Sequence, residues 1–176
     1  MKKINLLGIL FVLISIFGAC KKEKRGINFN LYLKQSFIIQ NGSPINLPIS
    51  ILLPDVTTNS TAQFEQNDTR AELINSIKLT TLDLHIEDPP SQDFSFLKDV
   101  EVFVKAENLP EIRLAYLFNN SSNSQSISLK IEDQDFAEYL KKEQISLRVK
   151  TLVNKTFAHQ IKFNADMKFR VNASVI

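Results

Sequence analysis

FAHQIKFNADMKFRVNASV, residues 157–175, decides the fold. Phe157, Ile161, Phe163, Ala165, Met167, Phe169, Val171, Ala173 and Val175 share one parity, while Gln160, Lys162, Asn164, Asp166, Lys168, Arg170 and Asn172 share the other. Successive side chains of a strand point to opposite faces, so this is a half-buried strand with an apolar inner face and a polar outer one. Residues 157–171 would span about 50 Å if straight at roughly 3.3 Å each, which predicts a bend or bulge. His159 falls in phase with Phe157 and Ile161, so it is expected to be partly buried and hydrogen-bonded near the strand end.

The same period runs back through the chain. Ile27, Phe29, Leu31, Leu33, Phe37 and Ile39 alternate up to the turn Asn41-Gly42-Ser43-Pro44. Leu47, Ile49, Ile51 and Leu53 alternate between Pro48 and Pro54. Proline cannot donate to a ladder, so this strand belongs at a sheet edge or is broken. Residues 55–69 read as loops with one strand, and Asp68-Thr69 as the cap of a short helical turn at Ala71–Ile74. Ile77 and Leu79 are odd, whereas Leu82, Leu84 and Ile86 are even. A parity switch within one strand needs an extra residue, which predicts a β-bulge near Thr80-Thr81. Phe94, Phe96 and Leu97 form an apolar plug in a connection. Val100–Ala106, Ile112–Tyr116, Ile127–Ile131 and Ile145–Thr151 supply further strands. Asp133–Lys142 is the helix candidate, with acids at its start, lysines at its end, and Phe136, Tyr139 and Leu140 on one face.

About eight or nine strands, short turns and one short helix near 133–142 predict an all-β protein, an antiparallel β-sandwich of generally Ig-like build. A closed barrel with an interior cavity is the alternative. The Trp and disulfide of true Ig domains are missing, since the 176 residues hold no Trp and one Cys.

Catalytic chemistry finds little support. None of the serines sits in a G-x-S-x-G elbow, and no glycine-rich phosphate loop exists. His85 points outward beside Asp83 and Glu87, where a surface or cross-strand partner is expected. Glu132, Asp133, Asp135 and Glu138 are candidate Ca²⁺ ligands, because Ca²⁺ takes several carboxylates, but they lack the glycine-turned calcium loop. Glu87, Asp88 and Asp93 form a second such candidate. Tyr32, Phe103 and Phe118 are the aromatics on outward parity, available to a glycan or to packing. No cofactor is expected.

The N-terminus reads as an address. Met1-Lys2-Lys3 is basic, Ile4–Phe17 is an uncharged apolar run, and Gly18-Ala19 precede the single cysteine, Cys20. The run is shorter than the ~18–20 residues that span a bilayer, so a secretory signal peptide fits better than a membrane helix. Phe17-Gly18-Ala19-Cys20 resembles a bacterial lipoprotein lipobox, with Phe17 in place of the usual Leu. The resemblance implies removal of residues 1–19 and lipidation of Cys20. Residues 20–26 are then the lipidated Cys and a basic tether, and residues 27–176 a single β-sandwich domain. Lys21 after the cysteine implies the outer membrane, on either its periplasmic or its surface face. Ile77–Tyr116 is similar to a segment of small Bacteroidota envelope lipoproteins, which carries no catalytic residues.

Charge supports that division. Of 21 basic and 19 acidic residues, residues 1–25 hold six basic and one acid, leaving 15 against 18. The basic pI therefore belongs to signal and tether, and nucleic-acid binding is not expected. The sequence predicts a non-enzymatic interaction or structural module, held to the membrane by its lipid and bound to an envelope protein. The alternative is a lipoprotein that binds a small ligand, a lipid or a glycan.

Overall fold

The computed structural model describes residues 26–175. Residues 1–25, including Cys20 and the tether, and Ile176 lie outside the described residues. Nine strands are β1 (Gly26–Ile39), β2 (Pro48–Thr57), β3 (Ile74–Asp88), β4 (Leu97–Ala106), β5 (Ile112–Leu117), β6 (Ser126–Ser128), β7 (Lys130–Ile131), β8 (Gln144–Val153) and β9 (Ile161–Ser174). Two short helices, α1 (Ser60–Glu65) and α2 (Ala137–Leu140), and two 3₁₀ turns, Ala71–Leu73 and Phe94–Phe96, fill connections.

The strands form a four-stranded sheet, β1-β9-β3-β6, and a five-stranded sheet, β2-β8-β4-β5-β7. All strand pairs are antiparallel. The pairs β1–β9, β2–β8, β3–β6 and β4–β5 nest inside one another, like one long hairpin that has been rolled up. That nesting is jelly-roll winding, a pair of Greek keys. The expected sandwich is present. Its strand order departs from the Ig-like build, in which consecutive strands A and B pair within one sheet. Here β1 and β2 lie in different sheets.

The inner faces make the core. Phe37 stacks on Phe163 at 5.6 Å between ring centroids, and Phe94 meets Phe163 edge-on at 6.2 Å. Phe136 meets Phe169 edge-on at 6.3 Å. Offset and edge-on rings bury large apolar area while aligning their quadrupoles. The 3₁₀ turn Phe94–Phe96 is the predicted plug: both rings are buried, and the Asp93 carboxylate accepts from the Ser95 N–H at 2.9 Å.

The predicted bulge is present. β3 shifts register against β9 between Leu79 and Thr81, and Leu79, Leu82 and Leu84 are all buried. The spare Thr80 hydroxyl donates to the Lys168 carbonyl at 2.8 Å. β2 is both an edge strand and broken, with a register shift between Leu53 and Val56 around Pro54 and a left-handed Asp55 (φ 55°).

Several details depart from the sequence reading, among them the single strand expected over Ile127–Ile131, which divides into β6 and β7 in different sheets. The last strand begins at Ile161, not Phe157, and pairs with β1 over its whole length without a bulge. His159 is exposed in the preceding loop instead of lying on the buried parity. The helix near 133–142 shrinks to Ala137–Leu140, because Asp135 turns its carboxylate to the N–H groups of Ile77 and Ala137, both at 2.9 Å. The second helix, α1, was not predicted. It buries Phe64 edge-on against Phe29 at 6.3 Å.

Candidate functional site

Each sheet has an outer face, and the two differ in chemistry. On the five-stranded sheet, cations lie flat on aromatic rings. The Arg113 guanidinium sits 4.4 Å from the Tyr116 ring centre and Arg148 sits 4.2 Å from that of Phe103. Such stacking draws on the negative ring face and suits the planar guanidinium. Arg113 also reaches Glu101 at 2.7 Å and Glu132 at 2.6 Å. Arg148 grips both oxygens of Glu111. Lys150 reaches Glu101 at 3.2 Å, and that carboxylate is only 15% exposed. Burial pushes the Glu101 carboxyl up, but the hydrogen bonds from Arg113 and Lys150 outweigh it and hold the group below the usual glutamate value. The hydrogen bond from Arg148 similarly lowers Glu111. On this face Arg113, Arg148 and Lys150 are paired with Glu101, Glu111 and Glu132, and a pocket of about 250 Å³ lined by Glu101, Phe118 and Lys150 lies beside them.

The outer face of the four-stranded sheet is open. A groove of about 410 Å³ is lined by Tyr32, Lys34, Thr81, Asp83, Asp166 and Lys168, with Leu33 and Met167 at its floor. Thr81, the residue that follows the bulge at Thr80, is among its lining side chains. Asp83 and Asp166 stand opposite each other across β3 and β9. Lys34 reaches Asp166 at 3.3 Å and Asp83 accepts from the Ser128 hydroxyl at 2.5 Å. His85 is outward, as its parity predicts. Its Nδ1 lies 2.7 Å from the Ser126 hydroxyl and its Nε2 lies 3.7 Å from Asp166. A serine, histidine and acid therefore follow one another across β6, β3 and β9. The arrangement lies on a flat, solvated sheet, and 3.7 Å is too long for the hydrogen bond that orients a general base.

The calcium candidates are not gathered. Glu132 goes to Arg113, and Asp133 to Lys78 at 2.8 Å. Asp135 goes to two backbone N–H groups, and Glu138 to Lys141 at 3.1 Å. Among the described residues no three His, Cys, Asp or Glu side chains are grouped to hold a metal ion. In the second set, Glu87 pairs with Lys162 at 3.0 Å and Asp93 caps the Phe94–Phe96 turn. Of the outward aromatics, Tyr32 and Phe118 are exposed, whereas Phe103 lies under Arg148. Among the described residues no helix is long and apolar enough to cross a membrane. The groove itself escaped the sequence reading, because its members come from three strands whose order is set by non-local pairing. The only local signal was the parity switch at Thr80.

No family model matches the chain, and no curated protein matches it. Among solved structures, a 60-mer BFDV capsid protein matches at 9% identity and TM-score 0.46, over 86% of this chain and 95% of that one. Desmodium yellow mottle tymovirus matches at 8% identity and TM-score 0.29, over 84% and 90%. Turnip yellow mosaic virus matches at 12% identity and TM-score 0.25, over 84% and 96%. These scores all lie below 0.5 and carry no argument about function.

Proposed function

We propose that this chain is a lipid-anchored β-sandwich of the bacterial outer membrane, acting as a non-enzymatic interaction module for another envelope component. The observation that carries the reading is Phe17-Gly18-Ala19-Cys20, whose cysteine stands six residues before the first strand begins at Gly26. Acyl chains on Cys20 contribute about 0.8 kcal/mol per buried CH₂, and more than one chain makes the anchor stable. Six residues reach at most ~20 Å, so the sandwich stays close to the bilayer. Lys21, Lys22, Lys24 and Arg25 in that tether each gain about 1 kcal/mol near anionic headgroups. The outer face of the four-stranded sheet, with its groove of about 410 Å³, is the surface offered to the partner.

The test is Cys20→Ser in the native envelope. Palmitate labelling and membrane retention are expected to disappear, while the folded domain persists. Unchanged labelling and retention overturn the anchor. Crosslinking of the anchored protein in whole envelopes then identifies the component that binds the open face.

A further inference from the structure

The sandwich has four strand edges, and three are protected. β2 carries Pro48 and Pro54 and is kinked at Asp55. β6 has three residues and β7 has two. Prolines, bulges, short length and charged side chains, lysine above all, are the usual means of keeping an edge from pairing with another chain. β1 has only the last, in a lysine drawn toward Asp166 of β9. It runs 14 residues from Gly26 to Ile39, is paired on one side only, and follows β9 without a register shift. Among the described residues no strand pairs with its other side. Lys34 is its one charged residue. Tyr32 is 61% exposed and Ile38 is 41% exposed beside that bare edge.

We propose that β1 pairs antiparallel with β1 of a second copy of this chain, joining two four-stranded sheets into one of eight strands. Residues directly opposite in an antiparallel pair share a face. A two-fold axis at Tyr32 sets Tyr32 against Tyr32 of the second copy, Asn30 against Lys34, and Asn28 against Ser36. On the inner face it sets Leu31 against Leu33. The aromatic pair is a favourable cross-strand contact, and the register brings no like charges together. The same 14 residues supply both strands and each Lys34 faces an uncharged Asn30, so a second copy of this chain fits the edge without like-charge contact. The main-chain bonds supply the affinity, as in other strand additions. Confinement of anchored copies to one bilayer raises their effective concentration. The pairing itself does not depend on the anchor.

The full chain serves as its own reagent, because Cys20 is its only cysteine. Single substitutions Asn28→Cys, Asn30→Cys, Tyr32→Cys, Ser36→Cys and Ile38→Cys are oxidised in native envelopes with copper phenanthroline. Asn172→Cys, on the outer side of the interior strand β9, is the control. Disulfide dimer is expected to concentrate at Tyr32→Cys, several-fold above the control, and to fall away toward Asn28→Cys and Ile38→Cys. Equal yields along β1, or none above the control, overturn the pairing. Cys20 acylated on sulfur forms no disulfide, so a dimer through Cys20 in the unsubstituted chain marks failure of the anchor alone.

Discussion

The two outer faces of this sandwich obey one rule of alternation yet end in opposite states. On the five-stranded sheet the outward residues are arginines, glutamates and aromatics, and they close over one another. On the four-stranded sheet lysines, asparagines, serines and aspartates predominate, joined mostly in single pairs such as Lys34–Asp166 and Lys162–Glu87 beside a groove. The difference lies in side-chain shape. A guanidinium can stack on a ring and hold two carboxylates at once, as Arg113 does with Tyr116, Glu101 and Glu132. A lysine makes a point contact and stays solvated, as Lys34 does with Asp166. The first face is therefore tied together by multidentate contacts and the second by single pairs.

The most drastic way to break this contrast is insertion of one alanine between Thr81 and Leu82. With that added residue, the parity of Leu82, Leu84 and Ile86 against Leu79 inverts, and three apolar side chains move to the open face. Loss of cooperative unfolding, followed by circular dichroism, is expected. Next comes Arg113→Ala, which strips Glu101 and Glu132 of a shared partner and uncovers Tyr116. A loss of about 1–3 kcal/mol is expected in urea denaturation. Lys34→Ala on the open face should cost about 0–1 kcal/mol by the same measurement, because an exposed pair gains little from its attraction.

Acid sharpens the comparison further. Glu101 and Glu111 have depressed folded-state values. Their contribution is present above the unfolded glutamate value and is lost as pH falls through the folded one. Stability should therefore drop as pH falls through and below the usual glutamate range. Glu101→Gln should flatten that drop, read as a smaller change in urea midpoint across the same range.

Much of this architecture is legible in the sequence because period-two alternation is local. Ile161–Ser174 declares its two faces residue by residue, and the parity switch between Leu79 and Leu82 announces the bulge. Local rules fail where a residue serves a distant partner. Asp135 looks like a helix acid but binds the Ile77 N–H, so the helix starts late. Phe64 is a lone apolar residue in a polar stretch, and only the space beside Phe29 reveals why a helix forms there. Leu114 and Ala115 are both buried, because a second bulge opposes Val102 and Phe103 to Ala115 and Arg113. The sequence shows no parity switch for it. Strand order is non-local altogether, so the nested winding and the groove were beyond reach. The proposed lipidation site, Cys20, rests on its neighbours in the chain alone.

That cysteine offers the most direct trial of the whole reading. The N-terminal peptide of the mature protein, taken from purified outer membranes, can be weighed by mass spectrometry. An anchored envelope protein yields a peptide that starts at Cys20 and carries acyl chains. A peptide that starts elsewhere, or an unmodified Cys20, contradicts it.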